Sequence, residues 1–127
     1  MKRLTVLGVT GSVGRRTLEL VEHFPEDFRV EGMAARGSDP ELVAELCRRH
    51  RPRALALSDP SALDAVARAL AAPRPELLAG PDGLVTLARQ VEADVVLSAI
   101  VGGAGLLPTM AAIQSGKAIA ARAVISR

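Results

Sequence analysis

The chain has 127 residues, a formal net charge of +2, a single cysteine, two phenylalanines and neither Trp nor Tyr. That length makes one compact domain and is short for an enzyme that must hold both a nucleotide cofactor and a substrate. One cysteine excludes an intramolecular disulfide framework and a thiolate metal cluster. Scattered arginines without aromatic platforms leave no nucleic-acid partner expected. The uncharged stretch from Val95 to Ser115 contains Gly102, Gly103, Gly105 and Pro108, which break a membrane-spanning helix. The apolar run behind Lys2 and Arg3 is too short for a signal peptide, so a soluble, cytoplasmic protein with no membrane partner is expected.

In chain order, Arg3 to Gly8 reads as a buried strand and Ser12 to His23 as an amphipathic helix, with apolar positions at Val13, Leu18 and Val21. A second strand is predicted near Phe28 to Ala35. It is followed by a helix capped by Asp39, with Pro40 at its first position, running to about His50. Cys47, inside "AELCRRH", is expected to be an inert thiol on that helix. Ala54 to Leu57 reads as a strand, Asp59 or Ser61 opens a helix to about Ala71, and a brief strand follows at Leu77 to Ala79. A helix from Asp82 to Gln90, an apolar strand from Asp94 to Ala99, a glycine turn, a helix ending at Gly116 and a strand from Ala118 to Ala121 complete the pattern. Strands that are apolar throughout and alternate with helices imply an α/β fold. The expected architecture is a Rossmann-like, doubly wound, three-layer domain on a mainly parallel sheet, with ligands beyond the carboxyl ends of the strands.

The first turn carries Gly8, Gly11 and Gly14 as G-V-T-G-S-V-G, spaced three and three, unlike the usual G-x-G-x-x-G fingerprint. The mechanics are nevertheless those of a phosphate cradle. One glycine allows a sharp turn, one lets main chain approach a pyrophosphate, and one lets the helix pack close to the strand, with free amides facing the anion. Thr10 and Ser12 add hydroxyls, and Arg15 and Arg16 lie in the first helical turn. Structural readings stand beside this one: Ser12 as a helix cap, Thr10 satisfying the turn, the arginines solvated.

The tip of the second strand reads "VEGMAARGSD". Glu31 comes early, and the tip itself carries Arg36, Gly37 and Ser38. A guanidinium and a hydroxyl around a glycine suit a ribose 2'-phosphate, so NADP is expected over NAD; a solvated Arg36 beside a capping Asp39 is the plainer alternative. The glycine cluster "SAIVGGAGLLPT" after the fifth strand lies on the same sheet edge and would border the nicotinamide half of a dinucleotide, or simply serve the helix entry. His23 and His50 are expected at helix ends, and Asp59, Asp64, Asp82 and Asp94 form no metal-ligand grouping. No general acid or base is evident.

Taken together, "LTVLGVTGSVGRRTLELVEHFPEDFRV" and "SAIVGGAGLLPTMAAIQSGKAIA" closely resemble the N-terminal domain of the 1-deoxy-D-xylulose 5-phosphate reductoisomerases, over residues 1–120. That resemblance implies an NADPH-dependent oxidoreductase and isomerase of the non-mevalonate isoprenoid pathway, making 2-C-methyl-D-erythritol 4-phosphate with a divalent metal (Mg or Mn), and homodimeric when full-length. By the same resemblance Thr10, Gly11, Ser12 and Val13 would hold the pyrophosphate and Arg36, Gly37 and Ser38 the 2'-phosphate. Ala99, Ile100 and Val101 would line the cofactor. Two departures stand out. Around Arg36 the family more often shows glycine, a basic residue and asparagine. Residues 121–127 form a divergent tail, with Ala123, Val124 and Ile125 where the family's Asn, Lys and Glu would fall. The family's catalytic residues, metal ligands and substrate pocket would lie in further segments, so this chain alone is expected to be inactive. The aspartate semialdehyde dehydrogenases, with a similar first loop, and a stand-alone NADP-binding regulatory module are the competing readings.

Overall fold

The computed structural model describes residues 1–90, 92–100 and 106–121. Six strands alternate with helices: β1 (Lys2–Leu7), α1 (Ser12–His23), β2 (Phe28–Ala35), α2 (Pro40–His50), β3 (Ala54–Leu57), α3 (Leu63–Ala69), β4 (Glu76–Ala79), α4 (Gly80–Ala88), β5 (Val95–Ser98), α5 (Leu106–Gln114) and β6 (Ala118–Ala121). They form one sheet in the order β4-β3-β2-β1-β5-β6, and every neighbouring pair is parallel. The chain winds outward from β1 to β4 and then crosses back to the other side of β1. The expected doubly wound architecture is therefore present, with its switch point between β1 and β5.

Two cores flank the sheet, which makes the three layers. On one face Val6, Met33, Leu55 and Leu57 meet Leu18 and Val21 of α1, Val43 and Leu46 of α2, and Val66 of α3. On the other face the strands present small residues, Ala34, Ala54 and Ala56, to Leu84, Leu87 and Ala88 of α4, with Ala111 and Ala112 of α5 close by. The alternation along β3, "ALAL", places large and small side chains on opposite faces. Small residues let α4 sit close: a Cβ at Gly32 would lie 2.9 Å from the Leu87 side chain.

The register of β2 on β1 slips by one residue, Leu4 pairing with Val30 but Thr5 with Gly32. Glu31 is the extra residue, a β-bulge in the middle of a buried strand. Its carboxylate is almost wholly buried and lies 2.8 Å from Arg29 Nε and 3.1 Å from Arg53 Nε. A charge taken out of water needs such partners, which explains an acid within an otherwise apolar strand.

Most element boundaries follow the sequence expectation, and the differences have local causes. Asp59 does not open the third helix directly: its carboxylate accepts from the N–H and Oγ of Ser61 and caps a 3-10 turn, Pro60–Ala62, ahead of α3. That helix stops at Ala69 because Leu70 turns extended and drops into the core. Helix α4 begins at Gly80, two residues before the expected Asp82, because Gly80 takes a positive φ of 74° directly after β4. Asp39 caps α2 through the N–H of Leu42, as expected.

The entrances of β1 and β5 are tied by Asp94. Its carboxylate accepts the Arg3 N–H at 2.9 Å and faces the Arg3 guanidinium at 3.5 Å, while its own N–H donates to the Arg3 carbonyl at 2.8 Å. The backbone bond from Arg3, then the side-chain bond, hold the Asp94 carboxyl below the usual 3.8. A carboxyl whose folded pKa lies below its unfolded one stabilises fully above the unfolded value, and that contribution is lost as pH falls through the folded one. Asp94→Asn is therefore expected to lower the melting temperature at neutral pH, with the gap to the parent closing as the medium is acidified below the carboxylate range. Thermal melts of both chains across pH check this, and a gap independent of pH would contradict it.

Candidate functional site

The loop from β1 to α1 is built by three glycines with three separate geometries. Gly8 ends the strand at φ 88°, and the N–H groups of Gly8 and Val9 both donate to the Ala34 carbonyl, at 2.8 and 2.9 Å. This folds the chain over the end of β2 and seats Val9 fully in the core. Gly14, in the first turn of α1, lies so close beneath the loop that a Cβ there would stand 2.1 Å from the Gly8 carbonyl oxygen and 2.8 Å from Val9 Cα. Gly11 differs from both. Its φ is −78°, and a Cβ would meet only the Gly8 oxygen at 3.6 Å, an ordinary contact. The fold therefore requires glycine at 8 and 14, whereas Gly11 is exposed and leaves its main chain open to approach.

Gly11 is also the N-cap of α1 and brings no side chain to the cap. Ser12 is the first helical residue, so the reading of Ser12 as the cap does not hold. Neither its hydroxyl nor that of Thr10 is taken up by a hydrogen bond among the described residues. The first-turn amides of Ser12, Val13 and Gly14 have no acceptor within the helix, and they mark the positive end of its dipole. This end is a ready site for an anion.

The loop after β5 is laid against this turn. The Ala99 N–H donates to the Leu7 carbonyl at 2.8 Å, and the Gly8 Cα side is pressed against the Ala99 main chain and the Ile100 side chain. Between them opens a cleft of about 410 Å³, walled by Gly8, Thr10 and Gly11 from the first loop and by Ala99 and Ile100 from the fifth strand's exit. Ala35 and Arg36 close it from the tip of β2. A hollow of the same volume, bordered by Val21, Phe28 and His50, lies at the opposite edge, where strands begin. Ligands of such sheets bind outside the carboxyl ends, so the switch-point cleft is the candidate.

Of the residues singled out in the sequence, the structure brings Gly8, Thr10, Gly11, Arg36, Ala99 and Ile100 into one cleft. Ser12 is exposed and Val13 half-buried at the adjoining helix start. Gly37 has a different job: at φ 99° it is buried, and a Cβ would stand 2.6 Å from Ala62 Cβ, so it shapes the tip and offers only main chain. Ser38 is exposed just beyond it. Val101 and the glycines at 102, 103 and 105 lie outside the described residues, as do residues 122–127 of the tail. Glu31 sits in the bulge, away from the tip.

Two wall residues, Ser58 and Leu84, were not foreseen. Ser58 directly follows β3 on the same sheet edge and was findable from topology, its N–H donating to the Ala35 carbonyl at 3.0 Å. Leu84 carries no sequence signal, since it reads as an ordinary core position of α4. Asp59 follows Ser58, and its N–H donates to the Arg36 carbonyl at 3.3 Å. Hydrogen bonds from Ser61, with a smaller share from the nearby Arg36 charge, hold its carboxyl below the usual range.

Elsewhere, Cys47 is buried, and burial pushes its thiol up to about 11. Burial also lowers the His50 pKa, against the pull of Glu22. Among the described residues no three His, Cys, Asp or Glu side chains gather as metal ligands, and no helix is long and apolar enough to cross a membrane.

A parallel, doubly wound sheet with a glycine turn and an open helix N-terminus at its switch point defines a Rossmann-like domain. The chain belongs to the 1-deoxy-D-xylulose 5-phosphate reductoisomerase family, whose sequence profile matches residues 4–122. It is 48% identical over 122 residues to the reductoisomerase of Acaryochloris marina and 49% identical over 123 residues to that of Prochlorococcus marinus. These alignments cover 94% and 91% of this chain and 30% of each relative, so the chain spans about 30% of their length. Among solved structures, the reductoisomerase of Zymomonas mobilis in complex with NADPH superposes with a TM-score of 0.87 at 36% identity, over 95% of this chain and 31% of that one. A reductoisomerase in complex with NADPH, fosmidomycin and magnesium gives 0.85 at 30% identity, over 94% of this chain and 29% of that one. The aspartate semialdehyde dehydrogenase reading is set aside by these matches.

The three glycine geometries separate fold from function. Gly14→Ala is expected to destabilise the domain by about 3 kcal/mol, since its Cβ would overlap rigid main chain, whereas Gly11→Ala should cost no more than about 1 kcal/mol. Urea denaturation of the two variants measures both, and equal losses would contradict this division.

Proposed function

We propose that this chain is the NADPH-binding part of a 1-deoxy-D-xylulose 5-phosphate reductoisomerase. The observation that carries the reading is the meeting of an uncapped helix N-terminus, an exposed Gly11 and the Arg36 tip in one cleft. The residues present fit the cofactor. Gly11 lets the pyrophosphate reach main chain, the amides of Ser12 and Val13 donate to it, and the Thr10 and Ser12 hydroxyls are free to join them. Arg36 is the cation for the 2'-phosphate, with Ser38 beyond it and Gly37 shaping the turn. Ala99 and Ile100 form the wall of the nicotinamide half, an apolar surface that excludes water from the reacting face. NADPH held there supplies a hydride.

For the whole protein we propose the family reaction, conversion of 1-deoxy-D-xylulose 5-phosphate to 2-C-methyl-D-erythritol 4-phosphate with a divalent metal, in a cytoplasmic homodimer. The described residues do not fit the metal, because no acidic or histidine cluster forms among them. We therefore place the metal and the substrate on segments other than these, and derive no step through the metal. An oriented substrate is as necessary as a bound cofactor, so the 127-residue chain alone should consume no NADPH when given the pentose phosphate with magnesium or manganese.

Calorimetric titration of the chain with NADPH and with NADH tests the binding reading. Tighter binding of NADPH is expected, and Arg36→Ala should weaken NADPH at least about tenfold while changing NADH little, the size of a lost charge-assisted contact. Gly11→Ala should weaken both, because both carry the pyrophosphate. A folded chain that binds neither nucleotide, or an Arg36→Ala chain that keeps its preference, would overturn the assignment.

A further inference from the structure

At the sheet edge opposite the switch-point cleft, where β3 and β4 begin, lies a second hollow of about 370 Å³. Three arginines, Arg51, Arg53 and Arg74, line it together with Cys47, and Pro52, Pro73 and Pro75 stiffen its walls. Nothing in the NADPH reading uses these residues.

Their electrostatics are unbalanced. Arg53 Nε lies 3.1 Å from the buried Glu31 carboxylate without a hydrogen bond between them, and most of the Arg53 side chain is exposed. Neither Arg51 nor Arg74 has a carboxylate within ion-pair distance among the described residues. Three guanidinium groups line one concavity, and the one carboxylate near them, Glu31, is hydrogen-bonded to Arg29, so positive charge predominates there. Cys47 adds no opposing charge, because its buried thiol stays protonated.

Arg51 is also held in a backbone conformation that its side chain does not favour. It is the C-cap of α2 at φ 47° and ψ 58°, and it is the only non-glycine residue with positive φ among the described ones. Its N–H donates to the Cys47 carbonyl at 2.8 Å. Helices usually place Gly or Asn in such a left-handed position. A bulky cation kept there at a conformational cost is the kind of local strain that gathers at binding sites.

We propose that this hollow binds a small tetrahedral dianion, a phosphate or a phosphate monoester, held by Arg51, Arg53 and Arg74. The clustered positive charge suits a dianion. The planar forks of guanidinium suit phosphate oxygens. The site is distinct from the glycine loop, since the two lie at opposite ends of the strands.

The test is an amide-resolved NMR titration of the 127-residue chain with inorganic phosphate and, separately, glycerol 3-phosphate, with ionic strength held constant by KCl. Saturable shifts are expected at the amides of Cys47, Arg51, Arg53 and Arg74 with at least one probe. Arg74→Ala and Arg51→Gly should each weaken binding at least about tenfold. Arg51→Gly supplies the residue that the left-handed conformation favours, so its melting temperature should hold or rise while binding weakens. That combination separates a binding role from a structural one. Shifts confined to residues 10–14, shifts that do not saturate, or unchanged affinity in both variants would overturn the proposal.

Discussion

The contact on which the cleft depends is the one between Gly14 and the carbonyl of Gly8. With a Cβ position only 2.1 Å from that oxygen, the first turn of α1 can sit directly on the end of β1 only because position 14 carries no side chain. The same Gly8 turns at positive φ, anchors its N–H on β2 and is pressed against Ala99 after β5. Three strands thus meet at one residue without a side chain. The consequence is electrostatic as well as geometric. A helix whose first turn is seated on the central strand presents its unsatisfied amides over the switch point.

The bulge at Glu31 organises the neighbouring strand, β2. Beyond it, Gly32 and Ala34 face α4 with almost no side chain, which lets that helix lie close and brings Leu84 to the wall of the cleft. Before it, Arg29 approaches the Glu31 carboxylate, and Arg53 does so from the residue preceding β3. A single inserted residue in β2 therefore divides an apolar, tightly covered half from a charged half. The division explains why one central strand can serve two edges of such different character.

The elements were legible because parallel strands buried on both faces leave a strong pattern of apolar runs separated by glycine and proline. The strand limits of β2, β3 and β6 and the start and end of α1 and α2 match the sequence reading. The separate roles of Gly8, Gly11 and Gly14 were legible from their order after the first strand, but how strictly packing enforces each is visible only in the distances to Gly8 O. Gly37 read as part of a phosphate-binding tip, and only its distance to Ala62 Cβ shows that the fold itself requires it. Ser12 read equally well as a cap or as a ligand group until Gly11 proved to be the cap. Leu84 and the Glu31 bulge escaped for a different reason, since both depend on how distant segments pack rather than on local pattern.

The two halves of the proposed cofactor site are held with unequal strictness. The pyrophosphate half is made from main chain whose position is set by hard contacts, so almost any side chain added at Gly8 or Gly14 must move the helix or the strand. At the β2 tip the main chain is also fixed, by Gly37 beneath Ala62 and by the Asp59 N–H on the Arg36 carbonyl, but the group facing the ligand is one exposed side chain. Exchanging that side chain alters charge without disturbing packing, and surface changes of this kind have little effect on stability. On the proposed assignment, substitution at Arg36 would shift cofactor preference while the cradle stays constant. This accounts for a tip that reads Arg-Gly-Ser on a first loop that keeps its strict glycine geometry.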